Sequence, residues 1–124
     1  MNRFEIWITD LPAKASSSLH QPVQIVSFPE EETASPLVTV IPLTTEQAPQ
    51  HIPSHVPLLN SPYCALCEQP ATIDKKQLIR RIGSVEDAFD RFALNRALAN
   101  HLGLTPMHAI YIQVGNLYEH SGLF

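Results

Sequence analysis

The chain has 124 residues, 44% of them hydrophobic and 16% charged, which fits one soluble globular domain and is too short for two cores. Its formal net charge of −4 excludes the uniformly basic surface of a protein that holds nucleic acid by overall charge. Eleven prolines against four glycines, with prolines clustered between Pro29 and Pro62, argue for short strands joined by stiff loops.

Phe4 to Thr9, centred on Trp7, reads as a first strand. The stretch Met1 to Thr9 lacks the apolar core and cleavage site of a secretory signal, and no membrane span follows, so a cytoplasmic protein is expected. Ala13 to His20 is small and polar and reads as a flexible loop around Ser16-Ser17-Ser18. Pro22 to Phe28 and Leu37 to Leu43 read as the second and third strands, the latter rich in β-branched residues, with the acidic loop Glu30-Glu31-Glu32 between them. Thr44 to Pro57 carries His51 and His55 and reads as a long loop feeding a fourth strand near His55 to Leu59. That histidine spacing makes one metal-binding face only on a helix, and Pro53 stands between the two, so no metal site is expected.

Tyr63 to Leu104 is the most informative stretch. Cys64 to Cys67 reads as a short buried strand ending at a polar site, Glu68-Gln69. Zinc needs about four ligands and no second cysteine pair follows; strand alternation also separates the two thiols, so packing is the expected role of both. Thr72 to Lys76 reads as a polar connection into a strand, Leu78 to Ile82, that stops at Gly83. Ser84, with Asp87 three residues on, is placed to cap a helix from Val85 to Leu102, and Gly103 supplies its left-handed stop. Val85, Ala88, Phe89, Phe92, Ala99 and Leu102 are expected to pack that helix on the strands. Lys75, Lys76, Arg80 and Arg81 form a basic patch that suits a solvated strand edge or a local contact for RNA. Beyond Leu104, Ile110, Ile112 and Val114 alternate with Tyr111 and Gln113 as in an edge strand. The chain is thus divided into a domain, 1–104, and an extension, 105–124.

The ordered series Glu5-Ile6-Trp7, Pro22 to Ser27, Val40-Ile41-Pro42-Leu43-Thr44, Ala65 to Gln69, Thr72 to Lys75 and Leu78 to Ser84, closed by a helix ending in Leu102-Gly103-Leu104, resembles the MazF/PemK-type toxins. The resemblance implies a mainly β fold with α, an SH3-like small barrel of five to seven strands carrying a C-terminal helix. It also implies metal-independent endoribonuclease activity on single-stranded mRNA, no cofactor, a homodimer, and silencing by a cognate antitoxin.

In that family a threonine after the third strand and an arginine before the proline of the second carry most of the catalysis. Here the threonine is Thr44, while Gln21 stands in the arginine's place; His20 beside it is a substitute acid or base. Of the family's Gln-x-Arg-Thr segment, Gln69 and Thr72 remain and Ala71 replaces the arginine; with Lys75 they are the candidate substrate-binding residues. The missing arginines keep a second reading open, a protein- or RNA-binding module on the same fold. Gyrase poisoning, known for CcdB proteins of the same superfamily, is a distant third.

Overall fold

A computed structural model describes residues 2–12, 20–27, 35–45 and 52–104. The loop expected after Leu11-Pro12, the acidic loop, His51 and the extension 105–124 lie outside the described residues. The elements are β1 (Glu5–Pro12), β2 (His20–Ile25), β3 (Leu37–Thr44), β4 (His55–Pro57), β5 (Cys64–Leu66), β6 (Ala71–Asp74), β7 (Leu78–Ser84) and α1 (Ala88–His101).

The seven strands form one sheet in the order β4-β5-β3-β2-β1-β7, with β6 also on β3. All the pairings are antiparallel. β3 is long enough to hold two partners along one edge: Leu37 to Val40 pair with β6, and Leu43-Thr44 pair with β5. Thr72 and Ile73, expected in a polar connection, belong instead to β6, where they face Thr39 and Val38 of β3. Only four residues long, this strand has too little alternation to stand out between Pro70 and Lys75.

A 3-10 turn, Lys75–Gln77, carries the chain from β6 to β7. Asp74 caps it, accepting the Lys76 N–H at 2.8 Å while the Gln77 side chain accepts the Asp74 N–H at 3.1 Å. The chain therefore turns a corner here rather than forming a hairpin. Seven strands with a helix packed on them are the mainly β architecture expected, and among the described residues no ladder joins β6 or β4 to β7, so the sheet is not closed.

Alternation along β3 divides the core in two. Ile41 and Leu43 point to the side covered by α1, where they pack with Ile6, Val56, Ala65, Cys67, Val85, Leu94 and Ala97. Val38 and Val40 point to the other side, with Val23, Ile25 and Ile73, flanked by Trp7, Leu11 and Leu78. Both cysteines are buried free thiols, as expected.

Asp87, rather than Ser84, caps α1, accepting the Asp90 N–H at 3.0 Å. Gly103 ends the helix at φ 74°, the left-handed stop that its sequence position predicts. The buried face differs from expectation: Leu94, Ala97 and Asp90 are covered, whereas Phe89 and Phe92 are 78% and 65% exposed and Leu102 also faces outward. The helix carries two apolar stripes, and side-chain anchors choose between them. Arg3 Nη2 donates to Asn95 Oδ1 at 2.6 Å, Arg91 Nε to the Val85 carbonyl at 2.6 Å, and the Leu59 N–H to Asp90 Oδ2 at 2.9 Å. These three fixed bonds roll the aliphatic side onto the sheet. Phe89→Ser and Phe92→Ser are accordingly expected to leave stability within about 0.5 kcal/mol of the parent, as urea unfolding would show.

Candidate functional site

β2 and β3 pair with Val23 opposite Pro42 and Ile25 opposite Val40. Carried on by two residues, that register sets Gln21 across from Thr44 on the same face. On its other side Thr44 faces Cys64 of β5, and Cys64 in turn faces Pro57 of β4. Gln21, Thr44, Cys64 and Pro57 therefore form one row across four strands. The row lies where β2 begins and β3 ends.

The two predicted catalytic residues in this row are deeply set, with Thr44 at 8% and Gln21 at 3% exposure. Gln21 Nε2 donates to the Pro22 carbonyl at 2.5 Å and the Leu43 carbonyl at 2.7 Å, and Thr9 Oγ1 donates to the Gln21 carbonyl at 2.9 Å. An amide has two N–H donors, and both of Gln21's are spent on backbone. It works as a clamp between β2 and β3, not as a pair of donors offered to a phosphate. His20 is exposed, pairs with Pro12, and by alternation points away from Gln21.

The predicted substrate-binding residues do not gather around Thr44. Thr72 Oγ1 lies 3.2 Å from Thr39 Oγ1, in a cleft of about 520 Å³ shared with Ser27, Leu37 and Leu98. Thr39 is five residues before Thr44 on β3, about 17 Å away and on the opposite face. Lys75 stands in the 3-10 turn, its N–H bonded to the Pro36 carbonyl at 2.9 Å. Arg80 and Arg81 are exposed on edge strand β7, where Arg81 Nε lies 3.7 Å from Glu5 Oε2. This placement fits the solvated-edge reading of the basic patch.

Gln69 belongs to a cluster that the sequence hinted at only as a polar end to β5. Glu68 Oε1 accepts from His55 Nε2 at 2.9 Å and Gln69 Nε2 at 3.0 Å, while Oε2 accepts from Ser54 Oγ at 2.6 Å. The Cys67 N–H donates to the Ser54 carbonyl at 2.9 Å and holds the two segments together. The signal was present, a carboxylate at a strand end and a histidine at a strand start, but their pairing depends on the β4–β5 register. Among the described residues no group of three or more His, Cys, Asp or Glu gathers as a metal site.

Partial burial pushes the Glu68 carboxyl up, but the bonds from Ser54, its own backbone N–H, His55 and Gln69 outweigh that and bring it down to about 2. Burial, with Glu68's charge as a second cause, pushes the Cys64 thiol up and Cys67 up to about 12, so neither is a ready nucleophile. A carboxyl depressed in the folded state stabilises it above its unfolded value of 4.5, and that stability is lost as pH falls towards about 2. Discounted for solvent screening, the loss is about 1–2 kcal/mol. Melting followed between those limits should show the parent falling towards Glu68→Gln, whose own curve lacks this component.

A family model described as the PemK-like, MazF-like toxin of type II toxin–antitoxin systems matches residues 2–102. The chain belongs to this toxin family. Among solved structures, it is similar to an endoribonuclease in complex with its cognate antitoxin from a mycobacterial species, with 25% identity and a TM-score of 0.71 over 84% of this chain and 96% of that one. It is similar also to Mycobacterium tuberculosis toxin MazF-mt6, with 28% identity and a TM-score of 0.64 over 81% of this chain and 97% of that one. A MazE–MazF structure from Deinococcus radiodurans, at 16% identity and a TM-score of 0.64 over 83% and 95%, shares the fold. No curated protein matches the chain. As a PemK/MazF-like chain it carries the family's open seven-stranded sheet and terminal helix; no helix among the described residues is long and apolar enough to cross a membrane.

Proposed function

We propose that this PemK/MazF-like chain is an endoribonuclease toxin that cuts single-stranded mRNA without a metal, acts as a cytoplasmic homodimer and is silenced by a cognate antitoxin. The observation that carries the reading is the position of Thr44: the family's threonine stands at the end of β3, on the row it shares with Gln21, in a chain alike throughout its fold to an endoribonuclease. Its hydroxyl is suited to donate to a phosphate oxygen as negative charge builds on the pentacoordinate phosphorus. The nucleophile is the substrate's own 2′-hydroxyl, so the reaction needs proton transfer and charge stabilisation but no covalent enzyme intermediate.

A specific observation favours a second reading. With an arginine's position taken by Gln21 and that amide committed to backbone, the row lacks a fixed cation, as would suit a binding module on the same fold. Incubation of the purified protein with a long, weakly structured RNA in excess chelator separates the two. Discrete cuts support the endoribonuclease; intact RNA at protein excess supports the binding module.

A further inference from the structure

The end of β7, the first turn of α1 and the loop 58–61 enclose a cavity of about 230 Å³. Part of its wall is apolar, since Ile6, Leu58 and Val85 are buried members of the α1-side cluster. Its polar side is acidic: Glu86, Asp87 and Asp90 line it, and among the described residues no lysine, arginine or histidine does. The loop is held in place, because the Leu58 N–H donates to the Tyr63 carbonyl at 3.0 Å and the Leu59 N–H to Asp90 Oδ2 at 2.9 Å.

The three acids are not equivalent. Asp87 Oδ1 is spent on the Asp90 N–H at 3.0 Å, where it answers the positive end of α1. The Glu86 side chain is 81% exposed, with Arg91 Nη2 at 3.8 Å. That guanidinium is held outside the cavity by its 2.6 Å bond to the Val85 carbonyl and by the Phe4 ring, 4.8 Å away. Asp90 is only 5% exposed, yet just one of its oxygens is bonded, and Oδ1 has no hydrogen-bond partner among the described residues. Holding Leu59 requires a single acceptor, which an asparagine would supply without burying a charge. Burial pushes the Asp90 carboxyl up; the Leu59 bond offsets part of this, and the charge of Asp87 adds to it. The charged form is thus one that a cation at Oδ1 would favour.

A bare metal ion does not suit the place, because the acids do not gather as a ligand cluster and the facing wall offers no oxygen. A cation on a short apolar stem does. We propose that this cavity binds a primary alkylammonium, the group shared by free diamines and protein lysine side chains, with Asp90 as its anionic anchor. The ammonium donates to Asp90 Oδ1 while the stem lies along Ile6, Leu58 and Val85, and the Leu59 bond to Oδ2 stays in place. A guanidinium presents its donors as a planar fork, which the single open oxygen of Asp90 does not match. No residue of the Thr44 row lines the cavity, so the proposal is independent of whether the chain cuts RNA.

The test is an amide NMR titration of the full chain with n-butylammonium chloride, beside butanol for the stem alone and sodium chloride for the charge alone. Saturable shifts at Leu59, Asn60, Val85 and Asp90 are expected from n-butylammonium, with a dissociation constant on the order of 1 mM, the scale open to a ligand of so few atoms. Butanol and sodium should bind at least about 10-fold more weakly. Asp90→Asn keeps the acceptor for Leu59 and loses the charge, so it should stay folded in a thermal melt and bind n-butylammonium about 10-fold more weakly or worse. Undiminished binding by folded Asp90→Asn, or butanol binding as well as n-butylammonium, overturns the proposal. Should Asp90→Asn prove unfolded, the three solutes on the parent decide, and an absence of saturable shifts at those four amides overturns it. Putrescine and Nα-acetyl-lysine methylamide then separate the sources. Tighter binding of putrescine identifies a free diamine, tighter binding of the lysine derivative a protein side chain, and failure of both overturns the site.

Discussion

Thr44→Ala is expected to slow cleavage of unstructured RNA by about 100- to 1000-fold while leaving the protein folded. The kinetic size follows from removing one donor aimed at charge that develops only in the transition state. The folding half follows from where Thr44 sits: on the row between Gln21 and Cys64, at the last position of β3, outside both apolar clusters. Its backbone pairing to Cys64 is independent of the side chain, and the truncation opens little volume. Quenched-flow or gel-based cleavage at saturating RNA, beside a thermal melt, reads both halves. Because the threonine's effect is on the charged intermediate, kcat should fall and KM should hardly move. Thr44→Ser, which keeps the hydroxyl, should retain most of the rate. Equal loss from both substitutions would mean that the methyl group, and so packing rather than hydrogen bonding, is what the site needs from this position.

What could be read from the sequence tracks how local each determinant is. The strands around Trp7, Val23 and Val40, and the helix stop at Gly103, are written in short runs of propensity and turn chemistry, and they appear where those runs lie. The helix face is not legible from periodicity because two apolar stripes compete. Phe89 and Phe92 have the greater hydrophobicity, but Asp90, Asn95 and Arg91 bond to Leu59, Arg3 and Val85, partners far along the chain or outside the helix. No periodicity argument contains those bonds.

The candidate site shows the same division. Thr44 could be named from its place after a strand, and Gln21 from its place before a proline, yet the commitment of Gln21 to the Leu43 carbonyl is visible only once β2 and β3 are in register. His55 and Glu68 stand thirteen positions apart in the chain, and only the β4–β5 ladder makes them neighbours. Thr72 went the other way. It stands close in sequence to Gln69, but β6 carries it to the far end of β3, beside Thr39. A one-dimensional motif joined residues that the sheet keeps apart.

Ile41→Ala is expected to be the most damaging single truncation, costing about 3 kcal/mol and lowering the melting temperature by roughly 15 °C. Ile41 has no exposure and sits in the middle of β3, the strand on which β2, β5 and β6 all pair. Its side chain points to the α1 side, so the cavity would open within the larger of the two clusters, between the sheet and Leu94 of the helix. The estimate stays in the lower half of the range for such changes for a particular reason. Across from Ile41 stands Gln24, fully buried, with an Oε1 that has no hydrogen-bond partner. A void beside an unpaired acceptor can take in a water that hydrogen-bonds to it, recovering part of the loss that a dry cavity would keep. Gln24→Leu removes that acceptor. In its background Ile41→Ala should therefore cost about 1 kcal/mol more than in the parent, a coupling that urea melts of the two single variants and the double would measure. Strict additivity would show instead that the cavity stays dry and that the buried amide has no part in how the core absorbs the change.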